Sequence, residues 1–222
     1  GKVLGIVGRT GAGKSTILRL LMREFDSYDG KITFGSHDIR DYQMQDFLTQ
    51  IGYVPQTSFL FSTSIRENIR FAKPLADQKE VEKAAYAADL DEDIVQMQEG
   101  YDTEVGEMGV SLSGGQKQRL AIARALMVSP ELLILDDSLS AVDAKTEKHI
   151  LERIKKHRSD RTTIMVASRL SSVMGADEII VIDHGTVVER GTHEQLAQNG
   201  GWYQKTFEMQ RLEQNIGKGD EA

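Results

Sequence analysis

Nine residues, Gly8–Thr16, narrow the possible folds of this chain more than any other stretch: GRTGAGKST follows the short apolar run VLGIV and opens a segment with helical apolar spacing at Ile17, Leu20, Leu21 and Phe25. The pattern is G-x-x-x-x-G-K-[ST], and its strand-before, helix-after context is the one that gives it meaning. Its glycines let backbone N–H groups turn inward around phosphate oxygens, and a helix start adds partial positive charge. Gly8, Arg9, Thr10, Gly11, Ala12, Gly13, Lys14, Ser15 and Thr16 therefore form a candidate phosphate cradle. Lys14 reaches the outer phosphates and Ser15 offers an oxygen to Mg²⁺.

Such a loop needs a buried strand beneath it, and further segments supply the rest of a sheet. GKITFG reads as a second strand and IGYVPQ as a third that stops at Pro55. LLILD, TTIMVA and the pair EIIVID and TVVERG joined at His-Gly follow. The last pair reads as a hairpin with a tight turn. Between about Ser62 and Met127 the pattern is mostly helical, and Ala144–His157 is amphipathic. A final helix is expected over about 202–215, with GKGDEA frayed behind it. Alternating strands and helices predict an α/β fold with a mostly parallel sheet flanked by helices. It carries an inserted α-helical subdomain at about 57–127 within a core of about 1–56 and 128–200. A C-terminal hairpin and helices complete it.

Asp136 ends a run fit only for a buried strand, where a carboxylate beside the cradle can hold Mg²⁺ directly or through water. Asp137 follows. A side chain there polarises an attacking water only within hydrogen-bond reach, and aspartate is one methylene shorter than glutamate at nearly equal basicity. Ser113 and Gln116 stand at capping-box spacing before LAIARALM, with Gly114 and Gly115 between them. That makes a second anion-binding helix start in one chain. A head-to-tail dimer, each chain's second cradle closing over its partner's nucleotide, accounts for the duplication.

The chain resembles the nucleotide-binding domain of an ATP-binding cassette (ABC) transporter of exporter type, a P-loop NTPase. Gly8–Thr16 matches the Walker A loop, Leu132–Asp136 the Walker B strand, Gln56 in YVPQ the Q-loop, Leu112–Gln116 the LSGGQ signature and Ser140–Asp143 the D-loop. TEVGEMG, at Thr103–Gly109, resembles the exporter X-loop. The resemblance covers essentially the whole chain. It implies that ATP and Mg²⁺ bind, that Gln56 joins the metal to the contact with transmembrane coupling helices, and that Asp143 communicates between paired sites. It also implies the cytoplasmic face of a cell membrane as the place of action.

Three departures bear on activity. The family has glutamate where Asp137 stands, and a switch histidine where IMVASRLSSV offers Ser168. Its adenine-stacking aromatic would precede residue 1. A serine neither spans the reach of an imidazole nor titrates near neutrality. Lys14, Gln56, Asp136, Asp137 and Ser168 are thus the candidate catalytic set, and Ser15, Gln56 and Asp136 the metal set. The expectation is tight Mg·ATP binding with slow cleavage. The intact Ser113, Gly114, Gly115 and Gln116 would serve a non-identical second ATPase domain, in the degenerate half of a heterodimeric multidrug exporter. His37, His149, His157, His184 and His193 read as surface or turn residues.

Alternatives are constrained by the same sequence. A net charge of −7 disfavours a nucleic-acid partner. A chromosome-type ATPase would need a long coiled coil between Gln56 and Ser113, and no sustained heptads occur there. No cysteine is present, which excludes disulfides and thiolate metal sites. A start within a strand, with no signal peptide, suggests a domain cut from a longer polypeptide rather than an importer's separate ATPase subunit. A non-hydrolysing regulatory module differs from the exporter reading in rate alone.

Overall fold

The computed structural model describes residues 1–106 and 109–219. Its centre is a six-stranded sheet in the order β10-β9-β1-β8-β7-β4. The strands are β1 (Val3–Gly8), β4 (Ile51–Val54), β7 (Leu132–Asp136), β8 (Thr162–Val166), β9 (Glu178–Asp183) and β10 (Thr186–Gly191). All neighbours pair in parallel except β9 and β10. Asp136 lies opposite Val166, and Val166 opposite Ile6, so the carboxyl ends of β7, β8 and β1 finish level. Ligands of open parallel sheets gather at that edge.

Strand period 2 divides the core in two. Ile6, Leu132, Ile134, Ile164 and Val166 face α1 (Lys14–Leu21) through Leu18. Val7, Leu133, Leu135 and Met165 face the opposite layer, with Ile150 and Ile154 of α7 (Ala144–His157). Each fully buried aliphatic side chain contributes about 1.5–3 kcal/mol relative to exposure.

The remaining elements are β2 (Thr33–Phe34), β3 (His37–Asp38), α2 (Met44–Thr49), β5 (Thr63–Ser64), α3 (Ile65–Arg70), α4 (Gln78–Ala87), α5 (Asp91–Val95), β6 (Glu104–Val105), α6 (Gly114–Met127), α8 (His193–Leu196) and α9 (Trp202–Gly219). Helices α3 to α6 pack through Ile65, Ile69, Val81, Ala85, Leu90, Ile94, Leu120 and Ile122. These residues join the sheet's α7-side core in one continuous cluster.

Several sequence expectations change. GKITFG gives only the two-residue β2, paired with β3 in a separate hairpin outside the main sheet. The first helix stops at Leu21, Arg23 takes a left-handed φ of 57°, and Phe25 is left exposed. The helical stretch contains the small β5–β6 pair. The last helix extends to Gly219, past the expected stop near residue 215. His193 is not a plain surface residue: it is half-buried, its ring 4.9 Å from Phe207 and its Nδ1 2.9 Å from the Tyr203 hydroxyl. Glu107 and Met108 of TEVGEMG, and the end of the tail, lie outside the described residues.

Candidate active site

Gly8 ends β1 with φ 147°, and a Cβ there would meet the Ile182 carbonyl oxygen at 2.1 Å. Only glycine lets β1 and β9 approach so closely at the mouth of the loop. Gly13, with φ 104°, is the cap residue of α1 and brings no side-chain cap. The short α2 and α5 also lack a side-chain cap, whereas α3, α4, α6, α7 and α8 are capped by Ser64, Asp77, Ser113, Asp143 and Thr192. The first turn of α1 therefore presents backbone N–H groups without a side-chain acceptor, as an anion cradle requires. The His184–Gly185 turn braces it from the sheet edge. Both residues are left-handed, as a two-residue hairpin turn demands, and the Gly185 N–H donates to the Ala12 carbonyl at 2.9 Å.

Lys14 folds back over the loop, donating from Nζ to the Gly8 carbonyl at 2.8 Å and the Arg9 carbonyl at 3.0 Å. Burial pushes its ammonium below the usual lysine range, against the opposing pull of Asp137 and Asp136. Burial likewise raises the Asp136 carboxyl, whose Oδ2 accepts from the Tyr53 hydroxyl at 3.2 Å. Tyr53 is itself pushed up to about 12 by burial and by the charge of Asp136. A half-buried ammonium facing two carboxylates is an arrangement suited to phosphate oxygens and a divalent cation.

Asp137 has a left-handed φ of 47°, and its N–H donates to the Val166 carbonyl at 2.8 Å. Its side chain accepts three hydrogen bonds. Oδ1 accepts from the Ser168 N–H at 3.1 Å; Oδ2 accepts from the Ser168 hydroxyl at 3.1 Å and from Gln56 Nε2 at 3.3 Å. Gln56 arrives two residues after β4, and Ser168 two residues after β8. Lys14, Gln56, Asp136, Asp137 and Ser168 are thus brought to one sheet edge.

Ser113–Gln116 lie elsewhere, at the start of α6. The Ser113 hydroxyl accepts from the Gln116 N–H at 3.2 Å, and Gln116 Oε1 accepts from the Ser113 N–H at 3.0 Å, the reciprocal box read from the sequence. Asp93 holds the free end of the Gln116 amide at 3.0 Å and pairs with Arg119 at 2.7 Å. Tyr53 and Asp93 were not legible as site residues, because each acts through a contact far away in sequence.

Ser15, Asp136 and Gln56 could hold Mg²⁺ beside the cradle. Among the described residues no group of three or more His, Cys, Asp or Glu could hold a metal. A cavity of about 410 Å³ between α7 and residues 171–175 is lined by none of these residues.

The ABC transporter family profile matches residues 1–140. The chain belongs to the ABC transporter family, and within it to the ATPase domain. It is 52% identical over 217 residues to the multidrug resistance-like ATP-binding protein MdlA of Buchnera aphidicola subsp. Schizaphis graminum, covering 97% of this chain and 37% of that protein. It is 49% identical to the probable multidrug resistance ABC transporter ATP-binding/permease protein YheI of Bacillus subtilis, with 96% and 36% covered. A solved structure of a bacterial Atm1-family ABC exporter with ATP bound superposes at a TM-score of 0.90 and 42% identity, over 95% of this chain and 37% of that one. The chain thus spans little more than a third of the length of these relatives. The P-loop NTPase fold is shared with that exporter. Among the described residues no helix is long and apolar enough to cross a membrane.

Proposed function

We propose that this chain is the nucleotide-binding domain of a multidrug-type ABC exporter, with a degenerate ATP site of its own and a second cradle that completes the site of a non-identical partner. Gly8–Thr16 bind the phosphates, Lys14 neutralises the outer ones, and Ser15 and Asp136 hold Mg²⁺ with Gln56 alongside. When bound, the metal supplies charge stabilisation to the transferring phosphoryl group. Asp137 and Ser168 stand where a water would be oriented.

One observation supports the degenerate reading: the Asp137 carboxylate accepts from the Ser168 N–H, the Ser168 hydroxyl and Gln56 Nε2, which hold it toward β8 and the 55–56 segment. A glutamate would extend past that cluster toward the phosphates, and a histidine at 168 would not cap the acid so tightly. Misplacing a catalytic group by about 1 Å costs on the order of 100-fold. Ser113, Gly114, Gly115 and Gln116 keep a complete capped helix start, which favours a head-to-tail partner that still has a competent acid. Nucleic acid is not among the partners.

Coupling helices of a transmembrane region would meet the surface around Phe59, Phe61, Val110 and Lys117, which line an open cavity of about 610 Å³. Phe59 is 66% exposed there. The segment joining this surface to the site begins at Gln56. On this reading the chain acts at the cytoplasmic face of a membrane. The division into a core of about 1–56 and 128–200, a helical subdomain and a C-terminal helix belongs to the same reading. The relatives' description as ATP-binding/permease proteins favours an exporter over a separate importer subunit.

The test is Asp137→Glu combined with Ser168→His, assayed by phosphate release with the chain paired to its partner domain. Turnover at this chain's site is expected to rise about 100-fold. Unchanged turnover would refute the degenerate reading.

A further inference from the structure

The turn that follows Asp137 is held from two sides. Arg169, next to Ser168, donates from Nη2 to the Leu139 carbonyl at 2.6 Å and to the Val142 carbonyl at 3.2 Å. On the other side, Gln118 of α6 uses both ends of its amide: Nε2 donates to the Ser140 hydroxyl at 3.1 Å, and Oε1 accepts the Ala141 N–H at 2.9 Å. Gln118 is only 6% exposed, although it sits one turn into a helix whose start is open to solvent. The backbones also interlock. A Cβ on Gly115 would stand 3.0 Å from the Ala141 carbonyl oxygen, and one on Gly114 3.3 Å from the Ala141 Cβ. The Ser140 N–H then returns to the Asp137 carbonyl at 3.3 Å.

We infer that Gln118 is a positioning residue that locks the Ser113–Gln116 cradle and the 138–143 turn into one body, tying the second cradle to the Asp137 and Ser168 end of the sheet. A buried amide satisfied at both ends by one turn leaves that turn no alternative register, because moving it would strand a donor and an acceptor together. The missing Cβ at 115 lets the start of α6 lie close against the Ala141 carbonyl, and the missing Cβ at 114 leaves room for the Ala141 side chain, so a displacement of the cradle presses on the turn. The consequence for a partner's nucleotide rests on the head-to-tail reading above. The mechanical lock does not, and it is tested without a partner.

Hydrogen exchange by mass spectrometry on the whole chain compares wild type with Gln118→Met, which keeps the volume and removes both hydrogen bonds. Peptides over 112–119 and 138–143 are expected to exchange about tenfold faster together, a factor equal to about 1.4 kcal/mol, while peptides over β1, β7 and β8 stay as in wild type. Affinity for a fluorescent ATP analogue should change less than about twofold, since Lys14 and its loop are untouched. Faster exchange at 138–143 with 112–119 unchanged would overturn the inference, as would an equal rise across the whole chain. If Gln118→Met does not fold, Ser140→Ala removes one of the two bonds from an exposed position. It should raise both segments about threefold, and no change at 112–119 would again overturn the lock.

Discussion

Asn68 offers the most direct check on how the site is tied to the helical layer. Its side chain is fully buried and makes five polar contacts, one amide hydrogen being shared between two carbonyls. Nδ2 donates to the carbonyls of Phe61 at 2.9 Å, Ser64 at 3.1 Å and Thr63 at 3.3 Å. Oδ1 accepts from the Phe61 N–H at 3.0 Å and from Arg124 Nη2 at 2.8 Å. One side chain thus folds the segment that leaves Gln56 and anchors a guanidinium whose pKa burial has lowered. Asn68→Ala removes all five contacts. The carbonyls can each recover a water, but the Phe61 N–H and the Arg124 donor lose their acceptor. A stranded buried donor costs about 1–3 kcal/mol, more when charged, so the pair should cost about 3–5 kcal/mol. For a domain of this size about 1 kcal/mol moves Tm by roughly 2–4 °C, which gives a fall of about 10 °C. Calorimetry on the chain reads it. Asn68→Asp keeps the acceptor for the Phe61 N–H and Arg124 but turns a second carboxylate oxygen on the carbonyls of Phe61, Thr63 and Ser64, so it should not restore the wild-type Tm. A fall under about 3 °C for Asn68→Ala would show that the 57–64 segment is held by its aromatic contacts instead, among them Phe61 stacked on Phe71 at 4.2 Å.

Two further outcomes follow from the same geometry. Lys14→Ala removes the ammonium from the cradle, so ATP-analogue fluorescence should show affinity falling by at least about 100-fold with Tm nearly unchanged, since the lost bonds to the Gly8 and Arg9 carbonyls are partly exposed. Gly115→Ala places a Cβ 3.0 Å from the Ala141 carbonyl and should force the cradle off the 138–143 turn. Nucleotide-driven pairing with the partner domain, followed by light scattering, should weaken about tenfold while binding at the chain's own cradle stays constant.

How much of this could be read from residues alone depends on the range over which each feature acts. GRTGAGKST and LSGGQ carry their local geometry in their own letters: glycines where the backbone must turn, Ser113 and Gln116 at cap spacing, Asp143 ahead of α7. Their helix starts appear where the letters put them. LLILD and TTIMVA have the unbroken apolar character of strands covered on both faces, and they occupy adjacent central positions. GKITFG has the same local look, yet only two of its residues pair, and with β3 rather than the main sheet, because strand pairing is decided by tertiary context. Phe25 continues the helical spacing of α1, but the left-handed Arg23 ends the helix first. Tyr53 on Asp136, Gln118 on Ser140 and Asn68 under Arg124 span 83, 22 and 56 residues of chain. No pattern within a single window records such partners.

If this chain's own site is degenerate, as proposed, the contacts around Asp137 and Ser168 bear on why that site is retained. If Asp137 and Ser168 had lost function without structural duty, their side chains would be free of partners, and substitution there would be neutral. Instead the Ser168 hydroxyl and N–H both engage Asp137, Asp137 fixes Gln56, and Gln210 of α9 accepts the Leu170 N–H at 2.9 Å while donating to the Ser168 carbonyl at 3.1 Å. The 166–170 segment is therefore pinned from the sheet, from the turn after Asp137 and from the last helix. On the reading proposed here, this chain's own site has exchanged turnover for rigidity, and what it holds rigid is the path through Arg169 and the 138–143 turn to the second cradle. Restoring glutamate and histidine should then raise cleavage at the first site and at the same time loosen the second, because the Ser168 hydroxyl's bond to Asp137 would be lost and the acid's reach to the 168 N–H changed. An increase in turnover with no change in exchange at 112–119 and 138–143 would separate the two roles and show that rigidity there is independent of the shortened acid.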